Sequence, residues 1–250
     1  MNSMMKKTHL SAVACLAILA VGSSVSAGVV LLNENFESST AGSSVVLPWT
    51  WSVETFADNG GAPGGYIGGF YPGDNASPGI QVIVDGQSGA QGANALKVYG
   101  DYGYAPNFDN NQWVRTSVYQ NKTLTPADRA DGSLMFTFDI AAFTGAGGID
   151  STTIAYAYFQ ILSPDYAATW SRQEFAITSA DTAFQSGQLW YDVADPGLDG
   201  AQLQWGFATL TQNYSPSAIL VDNLQVIPEP SSVMLGGLGV ALLALRRRKH

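Results

Sequence analysis

The sequence predicts an all-β body, a two-sheet antiparallel β-sandwich, and three observations carry that prediction. Between residues 28 and 227 no segment sustains a helical period, whereas short alternating or wholly apolar runs recur, bounded by Gly, Pro, Asn and Asp. Only 12% of the 250 residues are charged while 27 are glycine, a profile of short strands joined by polar turns. The 6 Trp, 11 Tyr and 11 Phe can fill one substantial core, and the length fits one folded body with appendages.

Residues 1–27 come first. Lys6 and Lys7 precede an apolar run from Leu10 to Val21, and small residues follow up to Val25, Ser26 and Ala27. That order is a secretory signal peptide, helical in its centre, with cleavage after Ala27 and passage through the secretion translocon. The body, 28–227, then offers strands at 29–36, 49–53, 79–84, 94–99, 112–120, 133–142, 152–162, 169–178, 189–193, 201–210 and 218–227. In 133–140, Leu134, Phe136, Phe138 and Ile140 alternate with Ser133, Met135, Thr137 and Asp139, so one face packs inward. Leu203, Trp205 and Phe207 do the same, and two such faces stacked ~10 Å apart make a sandwich core. No 20–50-residue repeat is visible, which argues against propellers and solenoids.

The chain closes at 228–250 with Pro228, Glu229 and Pro230, an uncharged stretch over 231–245, then Arg246, Arg247, Arg248 and Lys249. It reads as a stop-transfer tail with a transmembrane helix anchored in the inner membrane. As a helix, 15 residues rise only ~22 Å against a hydrocarbon core of ~30 Å, so the expected anchor is temporary. The two prolines keep the preceding segment extended and free of ladder hydrogen bonds, open to an enzyme at the membrane surface. This ending resembles the PEP-CTERM sorting signal. The resemblance implies recognition by an exosortase and delivery to the cell surface or outside, in Gram-negative bacteria that make exopolysaccharide.

What the body lacks limits its chemistry. Cys15 and His9 lie in the leader and His250 ends the chain, so a body processed at both ends has neither residue type. Cys nucleophiles, Ser-His-Asp triads, Cys/His zinc sites and disulfides are excluded together. Six of the 11 basic residues also belong to the ends, leaving five in a strongly acidic body that repels phosphate backbones; nucleic acid is not an expected partner. A carboxylate pair is the one acid-base apparatus remaining, and no motif pairs two acids, so no catalytic residue is assigned.

Three stretches go further: NENFE at 33–37, GANALKVYGD at 92–101 and ILVDNLQVIP at 219–228. Together they resemble the jelly rolls of carbohydrate-binding modules, galactose-binding-like in architecture. The resemblance implies neighbouring first and last strands and a structural Ca2+ where they meet, with Glu37 and Asp222 at the matching positions. A carboxylate in an apolar strand such as 219–222 does need a partner, either a hard cation or backbone hydrogen bonds at a strand edge. Sugar-binding sandwiches set aromatic rings beside amides and carboxylates. Tyr102, Tyr104, Asn110 and Trp113, around the polar run 107–112, are the ligand-binding candidates for a polysaccharide. Three functions follow: an exported carbohydrate- or matrix-binding protein, a structural surface or biofilm component without a ligand, or a carboxylate hydrolase.

Overall fold

The computed structural model describes residues 30–42, 48–70, 80–84, 92–100, 112–130, 132–145, 147–149, 151–212 and 217–228. Among the described residues the strands are β1 (Leu32–Glu34), β2 (Thr50–Asp58), β3 (Pro63–Phe70), β4 (Ile80–Val84), β5 (Asn94–Val98), β6 (Gln112–Thr123), β7 (Ser133–Ala142), β8 (Ile154–Leu162), β9 (Thr169–Ile177), β10 (Gln185–Asp192), β11 (Gln202–Gln212) and β12 (Ile219–Pro228). They pair antiparallel in two six-stranded sheets. Sheet A runs β10-β7-β12-β5-β4, with β1 also on β12; sheet B runs β3-β2-β6-β11-β8-β9.

The core lies between the sheets. Phe136 and Phe138 of sheet A meet Phe159 and Phe207 of sheet B, with centroids 5.7–6.0 Å apart in tilted and edge-on pairs. Leu134, Ile140, Leu203 and Trp205 join the same cluster, as the alternation predicts. Residues of opposite parity therefore face outward, and on sheet B they form the groove described below.

The predicted strands recur with ends shifted by a few residues, and β7 keeps its predicted bounds. β3 is the strand that the sequence does not predict. With Gly64, Gly65, Gly68 and Gly69 among its eight residues it carries few packing side chains, and it forms as an edge strand because β2 supplies a partner. The β6–β7 connection contains α1 (Pro126–Arg129), whose N-cap Thr125 and Asp128 form a capping box.

β12 changes partner midway. Ile219–Val221 pair with β5, whereas Leu224, Gln225 and Val226 pair with β1. At the same point the β7–β12 ladder is bulged between Asp222 and Gln225, with Asn223 at φ 50°. First and last strands are thus neighbours, as the jelly-roll resemblance implies, and Pro228, which has no N–H to donate, closes the ladder.

The membrane expectation is corrected. Among the described residues no helix is long and apolar enough to cross a membrane. The physical reason is already visible in the tail, because an uncharged stretch of fifteen residues is short for a hydrocarbon core of ~30 Å. The signal helix at 1–27 with Ala27, and the tail with Glu229, Pro230, Arg246, Arg247 and Arg248, lie outside the described residues. The transmembrane helix, the inner membrane as a partner and anchoring there as a location are withdrawn.

Candidate functional site

The outer face of sheet B carries a groove of about 570 Å³, within the usual range for ligand sites. Strand register lays its side chains out in rows. Asn121 of β6, Gln204 of β11, Gln160 of β8 and Arg172 of β9 stand directly opposite one another in sequence across four strands. The next row is Tyr119, Gly206, Tyr158 and Glu174, and the one after is Ser117, Ala208 and Tyr156, with Ser52 opposite Ser117. Tyr119, Tyr156 and Tyr158 pack together with Ala208 of the central strand. At Gly206 a Cβ would come within 2.8 Å of the Tyr119 Cβ, so only glycine fits that close approach.

These groups lie on the outside of a sheet, yet Tyr158, Gln160, Gln204 and Ser117 are each less than a tenth exposed. The cost of that burial is met by a directed hydrogen-bond row. Arg172 Nη1 donates to Gln160 Oε1 at 2.9 Å, the Gln160 amide donates to Gln204 Oε1, and Gln204 Nε2 donates to Asn121 Oδ1 at 2.8 Å. A guanidinium has donors only, so it turns the Gln160 oxygen toward itself and fixes every amide beyond.

The charges are compensated in place. Arg172 Nε donates to Glu174 Oε1 at 2.6 Å, and its guanidinium lies 4.5 Å from the Tyr158 ring centroid and 5.2 Å from that of Tyr156. Arg115 donates from Nε and Nη2 to Glu54 Oε2 at 2.7 and 2.6 Å, and sits 5.0 Å from the Phe56 ring centroid. Burial lowers the affinity of Arg115 for its proton, but Glu54 and Tyr156 together outweigh it and the net shift is upward, so the residue stays charged. Burial drives the Tyr158 phenol far upward, so it stays neutral.

The groove does not have the geometry of a carboxylate hydrolase. Glu54 on β2 and Glu174 on β9 are four strand spacings apart, on the order of 20 Å, against the ~5–9.5 Å of glycosidase pairs. Among the described residues no group of three His, Cys, Asp or Glu could hold a metal ion.

The candidates from the sequence fall elsewhere. Tyr102, Tyr104 and Asn110 lie outside the described residues. Trp113, at the start of β6, is 4% exposed and its indole N–H donates to Asp58 at 3.0 Å. Glu37 and Asp222 do come to one junction, where β12 passes from β5 to β1. There Glu37 Oε1 accepts the N–H groups of Ala93 and Asn94 at 2.8 and 2.9 Å, and buried Asp222 accepts that of Asn223 at 2.7 Å. Asp222 thus accepts a backbone hydrogen bond, the role set beside calcium for it, and Glu37 accepts two. Two carboxylates also fall short of the six to eight oxygens that calcium takes. The groove residues carry no motif in the sequence. Their one signal is the outward parity of Tyr156, Tyr158 and Gln160 in a strand that is apolar on both faces.

Comparison with known proteins gives a local match and a broad likeness. Residues 226–249 match the PEP-CTERM protein-sorting motif. No curated protein matches the chain. Among solved structures, it is similar to the CBM22-1 xylan-binding domain from Paenibacillus barcinonensis, at 14% identity over 82% of this chain and 98% of that one, with a TM-score of 0.42. It is also similar to carbohydrate-binding modules of the β-sandwich superfamily, at 14% identity over 78% of this chain and a TM-score of 0.41, and spans 60% of that structure. A Clostridium thermocellum endo-1,4-β-D-xylanase complexed with xylohexaose matches at 8% identity over 80% of this chain and 29% of that one, with a TM-score of 0.42. At these scores the likeness carries no inference about ligand or residues. The chain carries a PEP-CTERM sorting motif at the end of an all-β, two-sheet antiparallel body.

Proposed function

We propose that this is an exported, exosortase-sorted protein whose sheet-B groove binds a polysaccharide without cleaving it. The observation that carries the reading is the row Asn121–Gln204–Gln160–Arg172. Four polar side chains, oriented by one guanidinium, line an open groove beside the phenols of Tyr119 and Tyr158. Pre-oriented amides and hydroxyls of this kind match the alternating donors and acceptors of sugar hydroxyls, and their order before binding lowers the entropy cost of association. Export and sorting rest on the PEP-CTERM match at 226–249.

The test is affinity electrophoresis of the full chain through gels containing xylan, mixed-linkage β-glucan or other soluble polysaccharides. Retardation should occur with at least one polymer and fall about tenfold in Gln204→Ala, equivalent to one charge-supported hydrogen-bond hub. Absence of retardation with every polymer, at unchanged melting temperature, would favour a structural surface component instead. Release of reducing sugar would bring back the hydrolase.

A further inference from the structure

Only five basic residues stand between 28 and 227, against nineteen acidic ones, and two of the five, Arg115 and Arg172, line this groove. Guanidinium groups in a glycan site ordinarily recognise carboxylates or sulfates through paired hydrogen bonds. Here each is met by a glutamate. Glu54 stands directly opposite Arg115 in the β2–β6 register, and Glu174 lies two residues beyond Arg172 on the same face of β9. The pairs are half open to solvent, with side-chain exposures of 28% and 29% for Arg115 and Glu54 and of 27% and 47% for Arg172 and Glu174. An incoming anion could therefore reach both guanidiniums, but at each it would meet a carboxylate of like charge already bonded there.

We infer that Glu54 and Glu174 are specificity-determining residues: they hold the groove's two arginines neutralised, so that it accepts uncharged polysaccharide and rejects chains bearing uronate or sulfate. This inference rests on the carbohydrate-binding reading above. The acidic body adds repulsion at longer range, but the glutamates decide the outcome at contact distance. They leave Arg172 free to orient the amide row while withholding the charge of both arginines from the ligand.

The experiment compares the full-length chain with Glu174→Gln, Glu54→Gln and the double variant, by affinity electrophoresis in gels of mixed-linkage β-glucan, xylan, alginate and polygalacturonate. Each Glu→Gln change keeps side-chain volume, and an unchanged melting temperature verifies the fold. The wild type should be retarded by a neutral polymer and pass alginate and polygalacturonate freely. The variants should gain roughly tenfold in retention on the two acidic polymers, a gain lost in about 0.5 M NaCl because exposed charge interactions are then screened within a few ångströms. Wild-type protein held more strongly by alginate than by any neutral polymer overturns the inference alone. So do folded variants that stay indifferent to alginate while still binding neutral polymer. A wild type that ignores every polymer overturns the carbohydrate reading itself, and the inference falls with it.

Discussion

Thr116 and Thr209 face each other across the β6–β11 ladder inside the sandwich, both fully buried, and neither hydroxyl has a hydrogen-bond partner. A buried hydroxyl without a partner costs about 1–3 kcal/mol, whereas Val has nearly the same shape and no such cost. Thr116→Val combined with Thr209→Val is therefore expected to stabilise the protein by about 1–2 kcal/mol, read as a raised denaturant midpoint at constant slope. A lowered midpoint would mean that the hydroxyls are bonded in solution. The groove shows the opposite solution to the same problem. Gln160 and Gln204 are also buried, but their amides are joined in a row that ends on Arg172.

Among the elements, α1 is short enough that its cap decides whether it forms. Asp128 Oδ2 accepts from the Thr125 N–H at 3.0 Å and from its hydroxyl at 2.6 Å, and Lys122 lies 3.1 Å from Oδ1. Burial alone would raise the Asp128 pKa; the bonds from Thr125 and Lys122 outweigh it and hold the carboxyl below its ordinary value of 3.8. Since the folded-state value is depressed, the stabilisation is fully present above the unfolded-state value and is lost as pH falls through the folded one. Asp128→Asn should cost about 1 kcal/mol at pH 7 and progressively less as pH drops below 3.8, measured by urea melts across pH. An equal cost at pH 7 and pH 2 would remove this account. At the β12 bulge Asn223 holds a left-handed conformation, and its side chain donates to Asp139 at 2.9 Å across the β7–β12 pair.

For the whole molecule, the β1–β12 pairing brings the first and last described strands together within sheet A. That junction is also where the calcium proposal is tested. If Ca2+ joins Glu37 and Asp222, a chelator should lower the melting temperature of the full chain by several degrees, because a ligand bound to the folded state alone stabilises it. A melting curve unchanged by chelator would leave the two carboxylates as backbone caps, the role their hydrogen bonds already show.

The all-β class, the inward faces of β7 and β11 and the sorting motif were legible in the sequence, because each depends on local periodicity or on contiguous residues. Alternation at Leu134, Phe136, Phe138 and Ile140 needs no partner to be read. β3 was not legible, because its glycines take strand form only when β2 pairs with them. The groove was hidden for a stronger reason. Asn121, Gln160, Arg172 and Gln204 come from four strands, and only the antiparallel register sets them in one row, so no spacing along the chain announces them. The sequence by itself determined what β7 and β11 bury and where the sorting motif lies. The tertiary structure alone decided which outward polar residues meet, because hydrogen bonds between strands, unlike hydrophobic period, join residues that are remote in the chain.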